Sequence, residues 1–182
     1  MDKINWYIIF CSTALLAGSI QLNAAEHEHE HHEAHIHGEA QLLLAMEDNT
    51  LEMELLSPAM NMVGFEHQPA NEVQTRAVES AVNTLKQTGR IFSFPDTAKC
   101  DSVSVEVVSP LTENDQHVDE EEVHSDFKAH YHFRCAEISR LERIEVQLFS
   151  AFPGIEVIEV QSISKRGQRK LDLTPEHNTL EL

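Results

Sequence analysis

Residues 124–135 read HSDFKAHYHFRC. Phe127, Ala129, Tyr131, Phe133 and Cys135 occupy every second position, and His124, Asp126, His130, His132 and Arg134 fall between them. Only an extended strand sends alternate side chains to opposite sides, so this run predicts a β-strand with an aromatic core face and a polar face. A chain built around such a strand needs partner strands and something to cover the aromatic side.

The rest of the sequence supplies both. HGEAQLLLAM and TLEMELLS are apolar-rich runs separated by EDN, and they predict a β-hairpin. The first run is expected to begin already at His35, with Ile36, Ala40, Leu42 and Leu44 facing the core and His35, His37, Glu39 and Gln41 facing out. SPAMNMVGFEHQP, broken by Pro58, Gly64 and Pro69, reads as a loop. Val73, Ala77, Val78, Ala81, Val82 and Leu85 recur at helical spacing, and Gly89 is placed to end that helix. RIFSFP is a short apolar step, DSVSVEVVS a strand, and RIEVQLFSAFPG and IEVIEVQSIS two more; GQRKLDL adds a hairpin arm. One main helix against six or seven strands predicts an α+β fold with an antiparallel sheet, forming a single domain over residues 35–182. Within it, residues 111–126 form an acidic, histidine-bearing insertion between two strands.

Ahead of this domain, Asp2 and Lys3 precede the apolar run INWYIIFCSTALLAGSI, and LNAA then offers small residues to a signal peptidase. Residues 1–25 read as a cleaved secretory leader. No later stretch is apolar for long enough to span a bilayer, so no membrane insertion is expected after cleavage. Two cysteines remain, Cys100 and Cys135, and an even pair in an exported chain is most simply a disulfide. Closing that loop stabilises by about 3–4 kcal/mol in the chain-entropy model. A cysteine-ligated metal is the rival, which an oxidising compartment disfavours. The formal charge is −18, from 31 acidic against 13 basic residues. Nucleic acids and anionic lipid surfaces would be repelled, whereas cations would be attracted.

The cations have an obvious destination. Six of the twelve histidines lie between His27 and His37, in EHEHEHHEAHIH. Residues 26–34 are almost wholly Glu, His and Ala, cannot bury a core, and read as a flexible arm. Zn2+ and its neighbours take neutral imidazole nitrogen and carboxylate oxygen, commonly three or four donors per ion. A flexible arm bearing His27, His29, His31 and His32, followed by His35 and His37, can wrap an ion in several competing ways. Ordering it costs conformational entropy, so binding should be multiple and moderate. It should weaken as pH falls through about 6.5, where imidazoles protonate. The competing reading, a solubilising tail or cloning tag, suits neither the interrupted pattern nor its position just inside a cleavage site.

Other donors are spread over the domain. His130 and His132 would neighbour one another on a sheet surface, where one histidine from an adjacent strand would complete a three-nitrogen site; otherwise they are exposed strand residues that bind nothing. The insertion carries seven carboxylates with His117 and His124, without the spaced oxygens and central glycine of an EF-hand. His67, beside Gly64 in a loop, and His177 near the C-terminus carry no signal by themselves. No Gly-x-Ser-x-Gly, His-Glu-x-x-His or phosphate-cradling loop supports catalysis, so no enzyme is expected; a metal-dependent hydrolase is the weakest of the readings. Spacing alone leaves the ion open, since Cu2+ and Ni2+ outbind Zn2+ at such ligands.

The succession of a His/Glu-rich arm, HIHGEAQLLLAMEDNTLEMELLSPAMNMVGFEH, a helix, IFSFPDTAKC, an acidic loop, HSDFKAHYHFRC and IEVQLFSAFPGIEVIEVQSISKRGQRKLDLTPEHNTLEL resembles the ZrgA-like family of periplasmic zinc-binding accessory proteins of Gram-negative bacteria. SPAMNMVGFEH and the Cys100–Cys135 frame are its most specific segments. The resemblance implies Zn2+ as the ion and a periplasmic role in zinc uptake. It further implies delivery to a zinc ABC importer or its solute-binding protein, and it places His67 with the metal-handling positions. A buffer or detoxifying sink with no delivery partner is the alternative.

Overall fold

The computed structural model describes residues 36–112 and 126–182. The expected hairpin is present as β1 (Glu39–Glu47) and β2 (Thr50–Pro58), antiparallel, with Asp48 in the left-handed region at its turn (φ 50). Leu42, Leu44, Leu51, Met53 and Leu55 are buried, as the alternation requires. The strand starts later than expected. His37 and Gly38 form a turn before it, and Ile36 is 57% exposed rather than in the core.

SPAMNMVGFEHQP is not wholly a loop. Ala59–Val63 winds into a short helix, α1, closed by Gly64 at φ 82, whose N–H reaches the Met60 carbonyl. Pro58 tolerates the N-terminal boundary and glycine the left-handed cap, so local chemistry favours this turn. The main helix, α2 (Glu72–Leu85), begins at Asn71, whose side chain accepts the N–H groups of Val73 and Gln74. It ends at Leu85, its last buried residue. Gly89 lies instead inside a separate helical turn, α3 (Thr88–Ile91). Of the predicted stripe, Val78, Ala81 and Leu85 are fully buried, while Val73 in the first turn is 69% exposed.

Seven further strands follow: β3 (Phe92–Ser93), β4 (Cys100–Val108), β5 (Asp126–Cys135), β6 (Arg143–Val146), β7 (Val157–Ser164), β8 (Gly167–Leu173) and β9 (Thr179–Glu181). RIEVQLFSAFPG is a strand only to Val146 and then turns through the short helix α4 (Leu148–Ala151). The described residues form two sheets, ordered β4-β5-β2-β1-β7-β8 and β3-β6-β9. Pairing is antiparallel except between β1 and β7, which run parallel. β9 and this parallel pair were not expected; both depend on which strand finds which partner across the chain.

The small sheet lies against the aromatic face of β5. Phe92 meets Tyr131 edge-on at 5.1 Å and Phe133 at 6.5 Å, and Phe94 meets Phe133 at 4.8 Å. Ile144, Val146 and Leu180 from the small sheet, and Val78, Ala81 and Leu85 from α2, share one core with the large sheet. Cys100 and Cys135 stand opposite each other on β4 and β5 and are disulfide-bonded. The bond ties those strands at the end remote from the insertion. Of the insertion's margins, Leu111 is buried in a 3-10 turn and Asp126 is the first residue of β5.

Burying the aromatic side leaves the opposite face of the large sheet open. Across it, Ser104, His132, Glu52, Ala45, Ile163 and Gln168 stand in one cross-strand row. Glu106, His130, Glu54, Leu43, Gln161 and Lys170 form the next. Among the described residues no helix is long and apolar enough to cross a membrane.

Candidate functional site

The leader 1–25, the arm 26–34, His27, His29, His31, His32, His35, His117 and His124 lie outside the described residues. His37, His67, His130, His132 and His177 lie within them.

His37 sits at the rim of the fold, where β1 begins. Its neighbour Gly38 is pinned from three directions. The Gly38 N–H donates to Asn61 Oδ1 at 2.7 Å, and its carbonyl accepts the N–H groups of Glu156 and Val157 at 2.7 and 3.0 Å. Asn61, buried on α1, also donates to the Glu39 carbonyl and the Ser57 hydroxyl. The buried amide therefore fixes where the chain joins the sheet, and His37 is carried to Glu66, its Nε2 3.1 Å from Oε1. Gly38 has φ 90, which a side chain would strain. His67 follows one residue beyond Glu66. Its ring stacks on Phe65 at 5.1 Å, and its Nδ1 lies 2.9 Å from the Gln68 carbonyl. A carbonyl can only accept, so Nδ1 carries the proton and Nε2 keeps its lone pair.

The second group is on the open face of the large sheet. His130 and His132 project from β5 on the side away from the aromatic core, as the alternation predicts. His130 Nδ1 is 3.2 Å from Glu54 Oε2, and His132 Nδ1 contacts Glu52 Oε1. Lys128 Nζ reaches the other Glu54 oxygen at 3.6 Å. These pairs exist because β2 and β5 are in register, Glu52 opposite His132 and Glu54 opposite His130. The adjacent strands place Glu52, Glu54, Ser104 and Glu106 opposite the pair, and not the histidine that would complete a three-nitrogen site. Among the described residues no three His, Cys, Asp or Glu side chains converge as a ready-made metal centre.

Along this face runs a groove of ≈ 630 Å³, lined by Leu43, Ala45 and Ile163 and by Glu54, His130 and Lys170. On its far side Lys170 and Gln161 bond to Glu159 at 2.7 and 2.9 Å. The Lys170 bond above all, then that of Gln161, holds the Glu159 carboxyl below its ordinary range. His177 pairs through its backbone with Thr174.

Sequence reasoning missed Asn61, Glu66, Glu52 and Glu54 as parts of these sites. The Glu52–Glu54 alternation was visible as a polar strand face, but its partners depended on register. Nothing local to Asn61 distinguished it from a loop residue.

A family model described as ZrgA family zinc uptake protein matches residues 34–182, in agreement with the resemblance seen in the sequence. No curated protein matches the chain.

Proposed function

The chain belongs to the ZrgA family of zinc uptake proteins, and from that premise we propose that it captures Zn2+ in the periplasm and passes it to a zinc ABC importer or its solute-binding protein. In this reading the leader 1–25 is removed on export, and the arm 26–34 precedes a single domain over residues 35–182. The arm gathers the ion through His27, His29, His31, His32 and His35, which lead directly into His37. His117 and His124 in the acidic insertion act as a second collector, and His67 offers Nε2 beside Glu66.

The match of residues 34–182 to a zinc uptake family carries the reading. Two physical features support it. Asn61 fixes Gly38 beside His37 at the start of the described domain. The imidazoles at that rim also have one nitrogen engaged and one available. Ligands that exchange one at a time suit a carrier, whereas a closed four-ligand structural site would hold its cargo.

Zinc titration of the exported chain tests capture: several ions should bind, and deletion of residues 26–37 should remove most of them. Unchanged stoichiometry would rule out the arm as collector. Growth under a chelator tests delivery. A strain lacking the protein should grow poorly and be restored by the full chain but not by the deletion. Zinc binding without any effect on growth would identify a buffer or sink, and preferential retention of Cu2+ or Ni2+ in periplasmic material would change the cargo.

A further inference from the structure

His130 and His132 are held in the same way. Each presents Nδ1 to a carboxylate on the neighbouring strand, Glu54 for His130 and Glu52 for His132. A carboxylate accepts, so each neutral ring carries its proton on Nδ1 and keeps its lone pair on Nε2. Metal-binding imidazoles are commonly oriented by such a carboxylate, which sets the tautomer and makes the free nitrogen a better donor. Two neighbouring histidines share that arrangement on one face of one strand.

We propose that His130 and His132, with Glu54 and Glu52 behind them, form a zinc site on the sheet itself, separate from the N-terminal arm, with coordination positions left open to water or an incoming ligand. The proposal rests on the zinc-handling reading of the chain. Side chains two apart on a strand share a face and are roughly 6.5–7 Å apart along it, so the rings need only lean together to place both Nε2 atoms on one ion. Glu106 faces His130 from the other side of β5, in register and exposed, where cross-strand Cβ atoms are about 4.5–5.5 Å apart. Its carboxylate is placed to add an oxygen donor once an ion is present.

The platform is rigid. β5 lies between β2 and β4, is stapled by Cys135, and is backed by the buried rings of Phe127, Tyr131 and Phe133. Donors on such an element lose little freedom on binding, in contrast to those of an arm. Ion pairing alone explains the arrangement poorly, because exposed pairs of this kind add little stability. The groove lined by Leu43, Ala45 and Ile163 is also lined by His130, which leaves the ion approachable from the side.

The test uses the exported chain with His27, His29, His31, His32, His35, His37, His67, His117 and His124 all replaced by alanine, titrated with Zn2+ against a chromophoric chelator at neutral pH. One equivalent of zinc should remain. Adding His130→Ala and His132→Ala should weaken it at least tenfold, and adding Glu52→Gln and Glu54→Gln instead, which spares every nitrogen, should weaken it about 10- to 100-fold. In the nitrogen NMR spectrum the Nε2 resonances of His130 and His132 should shift on loading. If the alanine pair disturbs folding, His130→Gln with His132→Gln carries the comparison. Loss of all zinc from the starting variant would overturn the proposal and leave the replaced histidines as the collectors. Retained zinc indifferent to both His130 and His132 would overturn it by placing the remaining site elsewhere in the domain. Failure of the unsubstituted chain to bind zinc would overturn the broader reading along with it.

Discussion

Asn61 Oδ1 accepts the backbone N–H of Gly38 at 2.7 Å, joining α1 to the first residue ahead of β1. The same amide donates to the Glu39 carbonyl at 2.7 Å and to Ser57 Oγ at 3.2 Å, so one buried side chain satisfies three groups. Asn61→Ala leaves those groups unpaired at a buried junction. It should destabilise by about 2–4 kcal/mol, measured by urea denaturation. His37 should also lose its fixed position against Glu66, visible as loss of the nuclear Overhauser contacts between them. An unchanged midpoint would show that water replaces the amide without cost.

Gly154 backs the same residue. A Cβ added there would lie 2.4 Å from the Asn61 carbonyl oxygen, whereas one added at Gly89 would meet nothing within 4 Å. Gly154→Ala forces α1 to move and should cost about 1–3 kcal/mol. Gly89→Ala, in a helical turn, should be neutral or stabilise by up to about 1 kcal/mol through the unfolded chain. Thermal melts of the two variants side by side check the contrast; equal effects would mean that the α1 contact is soft.

Tyr131 is 1% exposed, and its hydroxyl has no hydrogen-bond partner among the described residues. Burial pushes its phenol well above the ordinary value, so it stays protonated throughout the working range of the protein. Tyr131→Phe removes an unpaired polar atom while keeping the ring against Phe92. Stability should rise by up to about 2 kcal/mol. A clear loss of stability would reveal a buried water or other partner at that oxygen.

Glu159 should titrate below the ordinary carboxylate range, because Lys170 and then Gln161 bond to its ionised form. The sign follows from linkage. A carboxyl depressed by folding contributes stability that is present above its unfolded pKa and is lost as pH falls through the folded value. The contribution is small at so exposed a pair. Carbon NMR titration of Glu159 should show the lowered midpoint, and Lys170→Met should return it toward the ordinary value. A midpoint indifferent to Lys170→Met would remove the cause assigned here.

The alternation of Phe127, Ala129, Tyr131, Phe133 and Cys135 already determined that β5 is a strand, which of its faces is buried, and that His130 and His132 stand on the other. Leu51, Met53 and Leu55 did the same for β2. These properties were legible because side-chain direction in a strand repeats every two residues, whatever the strand is paired with. The main helix was legible for the corresponding reason at its own period, though not its end, since it stops at Leu85 and Gly89 falls in the separate turn α3.

Partners and junctions were decided only by the tertiary structure. That Glu54 meets His130 and Glu52 meets His132 follows from a register between strands about eighty residues apart in sequence. That β7 runs parallel to β1 follows from the return of the chain past Gly38, whose carbonyl takes two N–H groups from residues 156 and 157. Asn61, between two methionines, carries no local mark of its role; its value lies in buried groups that arrive from elsewhere. Periodicity acts within a segment, whereas hydrogen-bond satisfaction and register act between segments, and the candidate sites of this protein are built from the second kind.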